Sequence, residues 1–263
     1  MSLVNRIAVV SGGGGAIGGA AARAFARDGA RVFLAGRTRA KMEAVAGDIR
    51  ALGGDVDIAV VDALDEDAVE RHADMVADKA GGIDIALNAI GVAHVQGTPL
   101  AELSFADFEL PVAAYTRTNF LTAKAVARHF RGKGVILTLS TPGARLSGAG
   151  FLGNGVASAA VEAFSRILAG ELGAQGIRVI CLRPDAIPEA IDVSHVRAAF
   201  EGFAQRSGMS VDDMLAARAA NGPLLRRFPT LAEIGDFAAF AASDRAGAMT
   251  GAIANLSCGT LVD

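Results

Sequence analysis

The chain has 263 residues, 52% of them hydrophobic and 20% charged, enough apolar material for one large α/β core and too much for a disordered chain. Its 25 basic and 28 acidic residues give a formal net charge of -3, which leaves no basic field to hold a nucleic acid. Cys181 and Cys258 lie in apolar stretches without C-x-x-C spacing. They read as reduced thiols of a cytoplasmic protein. No apolar run reaches membrane-span length, Met1 to Val10 lacks the features of a signal peptide, and no His/Cys/Asp/Glu cluster has metal-ligand spacing.

The first element is the most informative. Ile7 to Val10 is an apolar, β-branched run. It stops at four glycines, Gly12 to Gly15, and passes into the alanine-rich helical stretch Ala16 to Asp28. Glycines let a backbone turn tightly and approach a ligand, and the helix N-terminus behind them offers N–H groups and a positive dipole end to a pyrophosphate. A plain glycine loop is the bland alternative. The remaining expected strands are Arg31 to Ala35, Val56 to Val61, Ile83 to Asn88, Val135 to Leu139, Arg178 to Leu182 and Ala252 to Leu256. Between them fall helices at Arg39 to Leu52, Glu66 to Ala80, Val112 to Phe130, Val156 to Leu172 and Leu231 to Ala242. Near-continuous apolar runs alternating with helices predict a seven-stranded, parallel, doubly wound Rossmann-type sheet with helices on both faces, in one domain covering 1–263. Right-handed crossovers put the strand carboxyl ends on one edge. One stretch breaks the rhythm: Ala186 to Arg227 carries helical patterns at Val196 to Gln205 and Val211 to Ala220. A helical insertion at the ligand edge predicts a substrate lid.

The second strand ends Leu34-Ala35-Gly36-Arg37-Thr38. A carboxylate there would bind the ribose hydroxyls of NAD. Gly36 fills that place and Arg37 follows, which favours NADP(H) over NAD(H). Arg39 and Lys41 add positive potential. Asp62 is placed to bind the adenine amino group, with backbone contacts from Ala63.

Ser11-Gly-Gly-Gly-Gly-Ala-Ile-Gly18 resembles the T-G-x-x-x-G-x-G turn of the short-chain dehydrogenase/reductase family. Asp84-Ile-Ala-Leu-Asn-Ala-Ile-Gly91 is similar to its D-x-x-x-N-N-A-G segment, and Asn119 stands where the family has a helix asparagine. Arg183-Pro184-Asp185-Ala186-Ile187 resembles its P-G motif, and Thr250-Gly251 through Gly259 its C-terminal T-G…G-G. The resemblance implies cofactor contacts from Gly12, Gly14, Gly15, Ala16, Ile17, Gly18, Asn88, Ala89, Ile90, Pro184, Asp185 and Ile187. Ala16, Ala89 and Asp185 depart from the family residues.

The larger departure is in the chemistry. The family reduces carbonyls with a Ser, Tyr and Lys set. Ser158-Ala-Ala-Val-Glu-Ala-Phe164 resembles the run that begins at the family lysine. In that frame Ser158 takes the lysine position, Asn154 the tyrosine position and Thr141 the serine position. A frame from the enoyl-acyl-carrier-protein reductase branch puts the tyrosine seven residues before the lysine, at Phe151. Both frames lose the phenol and the amine, and the single tyrosine, Tyr115, lies on another helix. Removing a positioned acid costs a factor of about 10² to 10⁴. Hydride transfer resides in the cofactor, so reduction of a carbonyl or enoyl group, or oxidation of an alcohol, persists as an expectation. Thr141 and Ser140 are expected to polarise a carbonyl, with Asn154 and Ser158 replacing the usual pair and Asn119 beside them.

Two other classes fit the same residues. One is a catalytically silent nucleotide-binding sensor or partner subunit; the other a lyase or isomerase using His94 or Asp185 as base. His94 faces the ligand edge, His195 lies in the lid, and Arg145 is a candidate for substrate anions. His72 and His129 read as surface residues. The family also implies a homotetramer or homodimer, packed through Val112 to Phe130 and Val156 to Leu172.

Overall fold

A computed structural model describes residues 1–191, 193–194 and 196–262. Its centre is a seven-stranded sheet in the order β3-β2-β1-β4-β5-β6-β7, every pairing parallel. The strands are β1 (Ile7–Ser11), β2 (Arg31–Gly36), β3 (Val56–Val60), β4 (Ile83–Asn88), β5 (Phe130–Leu139), β6 (Ile177–Pro184) and β7 (Ala252–Leu256). The crossover helices are α1 (Ala16–Arg27), α2 (Arg39–Ala51), α3 (Glu66–Ala80), α4 (Phe105–Ala127) and α5 (Leu152–Leu172). The stretch expected to form a lid contributes α6 (Pro188–Ile191), α7 (Val196–Arg206) and α8 (Val211–Asn221), and α9 (Leu231–Ala242) returns to the sheet.

Strand alternation builds two cores. Ala8, Val10, Val32, Leu34, Ile85 and Leu87 face α1, α2 and α9. Ile7, Val9, Phe33, Ile83 and Ala86 face the other way, toward Val76 of α3, Ala123 and Val126 of α4 and Ala169 of α5. Successive side chains on a strand point to opposite faces, so each apolar run serves both layers. The edge strands are an exception to the expected double burial: β3 is only partly buried and β7 is half-buried throughout. Chain order reverses between β1 and β4, and the crevice at that switch point is where doubly wound sheets take ligands.

Several expected boundaries move. The helix expected from Val112 begins at Phe105, capped by the Ser104 hydroxyl on the Asp107 N–H. Pro111 does not begin it but sits inside, buried against Gly153 of α5. The same helix ends at Ala127, and Phe130 already belongs to β5. Helix α5 starts at Leu152, before Val156. The lid helices fall within a residue of their expected ends and share a small core of Ile191, Phe200, Ala204, Val211, Leu215 and Phe228. His72, expected at the surface, is 8% exposed on α3, where burial depresses its pKa to about 4. Its neighbours in sequence are polar, but its own helical face packs inward. His129 lies in the turn after α4, half-buried, with Nε2 2.8 Å from Asp74. Cys181 is buried and Cys258 half-buried, both free thiols. No helix among the described residues is long and apolar enough to cross a membrane.

Candidate functional site

One cavity of about 570 Å³ runs along the carboxyl edge of the sheet, from the glycine turn to the lid. At the turn the chain leaves β1 and reverses. Gly12 has φ +79°, and a Cβ there would lie 2.5 Å from the Ala89 carbonyl oxygen. A Cβ on Gly18 would collide with the Gly12 carbonyl, and one on Gly14 would come 2.9 Å from Lys41 Cβ. Gly15 caps α1 with no side-chain hydrogen bond, so the helix N-terminus is left to whatever occupies the cavity. This cradle exists only because side chains are missing, and it fits a pyrophosphate.

Gly12, Gly14, Gly15, Ala16, Ile17, Arg37, Asp62, Ala63, Ala89, Ile90, Pro184, Asp185 and Ile187 line the cavity. Gly18 and Asn88 are absent from the lining. Gly18 is the packing glycine under the turn. Asn88 shapes the wall from behind: it donates to Thr122 Oγ1 at 3.1 Å and accepts from the Ile90 N–H at 3.1 Å. Arg37 and Lys41 are exposed at this end.

At the other end Ser140, Thr141, Asn154 and Ser158 line the same cavity. Strand β5 delivers the first two and α5 the last two, one helical turn apart. Thr141 Oγ1 lies 2.9 Å from Ser158 Oγ and accepts from Asn154 Nδ2 at 3.3 Å. This neutral cluster offers hydrogen-bonding groups to the cavity and no titratable acid. Asn119 does not line the cavity; it is buried in α4, its amide donating to the Tyr115 carbonyl at 2.9 Å.

Beneath the cluster lies a pair that local sequence reading overlooks. Ser140 donates to Glu162 Oε1 at 3.0 Å, and Arg183 Nη1 donates to the same oxygen at 3.2 Å. Arg183 is 1% and Glu162 5% exposed. A glutamate inside the apolar face of α5 was the available signal.

Neither alternative base is free. His94 Nδ1 donates to the Val92 carbonyl at 2.8 Å, so Nε2 accepts from Gln96 Nε2 at 2.8 Å. Burial holds the ring below its ordinary pKa. Asp185 Oδ1 takes Arg218 Nη2 at 2.7 Å and the Ala186 N–H, while Oδ2 accepts from Thr260 Oγ1 at 2.5 Å. That pairing ties the P-G-like segment to α8 and to the C-terminal turn. Arg145 is exposed and lines neither cavity. His195 lies outside the described residues.

The lid is seated on glycines. A Cβ on Gly97 would lie 2.6 Å from the Gly202 carbonyl carbon, and one on Gly150 2.5 Å from Gly97 Cα. The Gly97 N–H donates to the Gly150 carbonyl at 2.9 Å. Beside this seat the Phe151 and Phe203 rings stack, centroids 4.5 Å apart.

A doubly wound parallel sheet with a glycine turn at its switch point is a dinucleotide-binding Rossmann fold. A family model described as Enoyl-(Acyl carrier protein) reductase matches residues 14–260. (+)-Borneol dehydrogenase 2 of Salvia officinalis is 29% identical over 95% of this chain and 87% of its own length. Zerumbone synthase of Zingiber zerumbet is 31% identical over 74% of each chain. A dehydrogenase/reductase from Sinorhizobium meliloti 1021 superposes with a TM-score of 0.83 at 26% identity, covering 99% of this chain and 97% of its own. The chain belongs to the short-chain dehydrogenase/reductase family of oxidoreductases.

Proposed function

We propose that the protein is an NADP(H)-dependent oxidoreductase of a carbonyl/alcohol or enoyl substrate, working through an atypical site. One observation carries the reading: the Thr141–Asn154–Ser158 cluster opens into the same cavity as the side-chain-free phosphate cradle. Arg37 and Lys41, exposed and without an ion-pair partner among the described residues, support a 2′-phosphate over a bare ribose. The bound nicotinamide supplies or accepts the hydride. The chain's own residues do the rest. Gly12 to Ile17 hold the pyrophosphate; Thr141, Asn154 and Ser158 fix the substrate oxygen by hydrogen bonds; water delivers the proton. Orientation alone is worth several kcal/mol in general, which suits a slow but real catalyst.

The bonding of His94 and Asp185 argues against a lyase or isomerase based on either. The silent-binder reading draws on the missing phenol and amine. Nicotinamide-fluorescence titration tests the cofactor half: tight NADPH and weak NADH binding are expected, and binding of neither overturns the reading. Asn154→Tyr with Ser158→Lys tests the chemical half, since a rise in carbonyl reduction is expected where the surrounding site is intact. Silence in both forms would favour the sensor.

The reading extends to a cytoplasmic homotetramer or homodimer. Phe120 of α4 and Ile167 of α5 are 54% and 65% exposed, and the outer edge of β7 is unpaired in the single chain. A gel-filtration mass equal to one chain would remove that assembly.

A further inference from the structure

Charge is distributed unevenly along the cavity. At the glycine-turn end Arg37 and Lys41 are unmatched. At the lid end each described cation on the walls has its own carboxylate. Arg218 is paired with Asp185 at 2.7 Å and lies over the Phe228 ring at 5.1 Å. Arg206 is paired with Glu102 at 2.7 Å. Asp185 has its second oxygen on Thr260, and His94 has a proton on one ring nitrogen and accepts on the other.

The space between these pairs is apolar. A side chamber of about 460 Å³ adjoins the main cavity, sharing Phe151, Phe200 and Arg218 with it. Phe203, Met214, Arg206 and Ser207 complete its walls, whose open surface is mainly apolar. Among the described residues, the polar side chains that line the main cavity beside it include Ser140, Thr141, Asn154 and Ser158, with Gln96 and Tyr115, all of them uncharged groups. A carboxylate or phosphate entering here would lose water and find both described wall cations, Arg218 and Arg206, already paired. Drawing Arg218 toward it would strand the buried Asp185 carboxylate, an exchange that returns little, and Arg206 stands at the exposed rim beside Glu102. A hydrocarbon skeleton carrying one neutral oxygen has the opposite balance, burying its surface on the aromatic walls and its oxygen on the cluster.

We infer that the lid-end chamber takes a neutral, apolar carbonyl or alcohol, hydrocarbon-rich and free of carboxylate, phosphate or a phosphate-bearing carrier arm. The inference rests on the oxidoreductase reading for its place beside the nicotinamide, but it concerns binding and is tested as binding. Camphor and ketopinate share one bicyclic ketone skeleton and differ by a carboxylate. Acetoacetyl-coenzyme A brings a ketone on a phosphate-bearing arm. Each is titrated calorimetrically into the full chain, bare and saturated with NADPH. Camphor is expected to bind about tenfold or more tightly than ketopinate, and acetoacetyl-coenzyme A is expected not to displace it from the NADPH-loaded protein.

Phe203→Ala is expected to weaken camphor about tenfold while the NADPH titration stays where it was. Glu102→Gln removes a 60%-exposed carboxylate and releases Arg206, so ketopinate is expected to gain several-fold and camphor to stay unchanged. Equal or tighter binding of ketopinate or the thioester by the unaltered chain overturns the inference, as does a chamber that takes neither ketone. Camphor bound without NADPH oxidation upholds the chamber's ligand class and counts against the redox reading. NADPH oxidation that prefers ketopinate does the reverse.

Discussion

The two ends of the cavity are built by different means. The glycine-turn end works through backbone: peptide N–H groups, a helix terminus, and space cleared of Cβ atoms. The other end is built from side chains, Thr141, Asn154 and Ser158, at the positions that the sequence resemblance assigns to the family's serine, phenol and amine. A backbone site tolerates Ala16 and Ala89 because neither removes a peptide group. A side-chain site changes its chemistry with each residue. Beneath its altered surface, however, the chemical end keeps a buried ionic support in Glu162 and Arg183, which is a strange thing to retain under a derelict site.

The comparison can be broken first at that support. Glu162→Gln leaves the Arg183 guanidinium without the Glu162 carboxylate at 1% exposure, and a loss of about 4 kcal/mol in urea unfolding is expected. Glu162→Leu with Arg183→Met should recover much of it, since apolar replacement of a whole buried pair is often neutral. At the other end, Gly12→Val puts a branched side chain at φ +79° and against Ala89. A destabilisation of about 3 kcal/mol is expected, together with loss of NADPH fluorescence enhancement, so structure and binding fall as one.

His72 sharpens the contrast through pH. Its folded pKa of about 4 lies below the ordinary histidine value of 6.5. The unfolded chain therefore binds the proton first on acidification, and stability falls as pH drops from about 6.5 toward 4. At pH 5 the loss amounts to about 2 kcal/mol. Denaturation midpoints at pH 7 and pH 5 measure it, and His72→Leu should flatten that part of the profile; an unchanged slope would assign the acid sensitivity elsewhere. The smallest effect is at the exposed rim, where Arg37→Ala should cost about tenfold in NADPH affinity, the worth of one charge-assisted hydrogen bond, and leave NADH nearly untouched.

The sheet and the glycine turn were legible because their signals are local. Strands buried on both faces are written as apolar runs, and a phosphate turn is written as glycines beside a helix start. What escaped depends on distance or on facing. The helix expected from Val112 in fact starts at Phe105 and carries Pro111 inside it, buried against Gly153. His72 has polar neighbours in sequence and a buried face in space. Asp185 finds Arg218 and Thr260 at separations of 33 and 75 residues, and no window of sequence joins the three. Asn119 matched a family position but faces its own helix rather than the cavity.

Asp185 has a thermodynamic consequence. One carboxylate fastens the segment after β6, helix α8 and the C-terminal turn. A ligand that stiffens any one of them lowers the entropy left for the next ligand to remove, and such coupling is reciprocal. The two ligands should therefore tighten one another by the same factor, and Asp185→Asn should shrink that factor in the paired titrations of bare and NADPH-loaded protein.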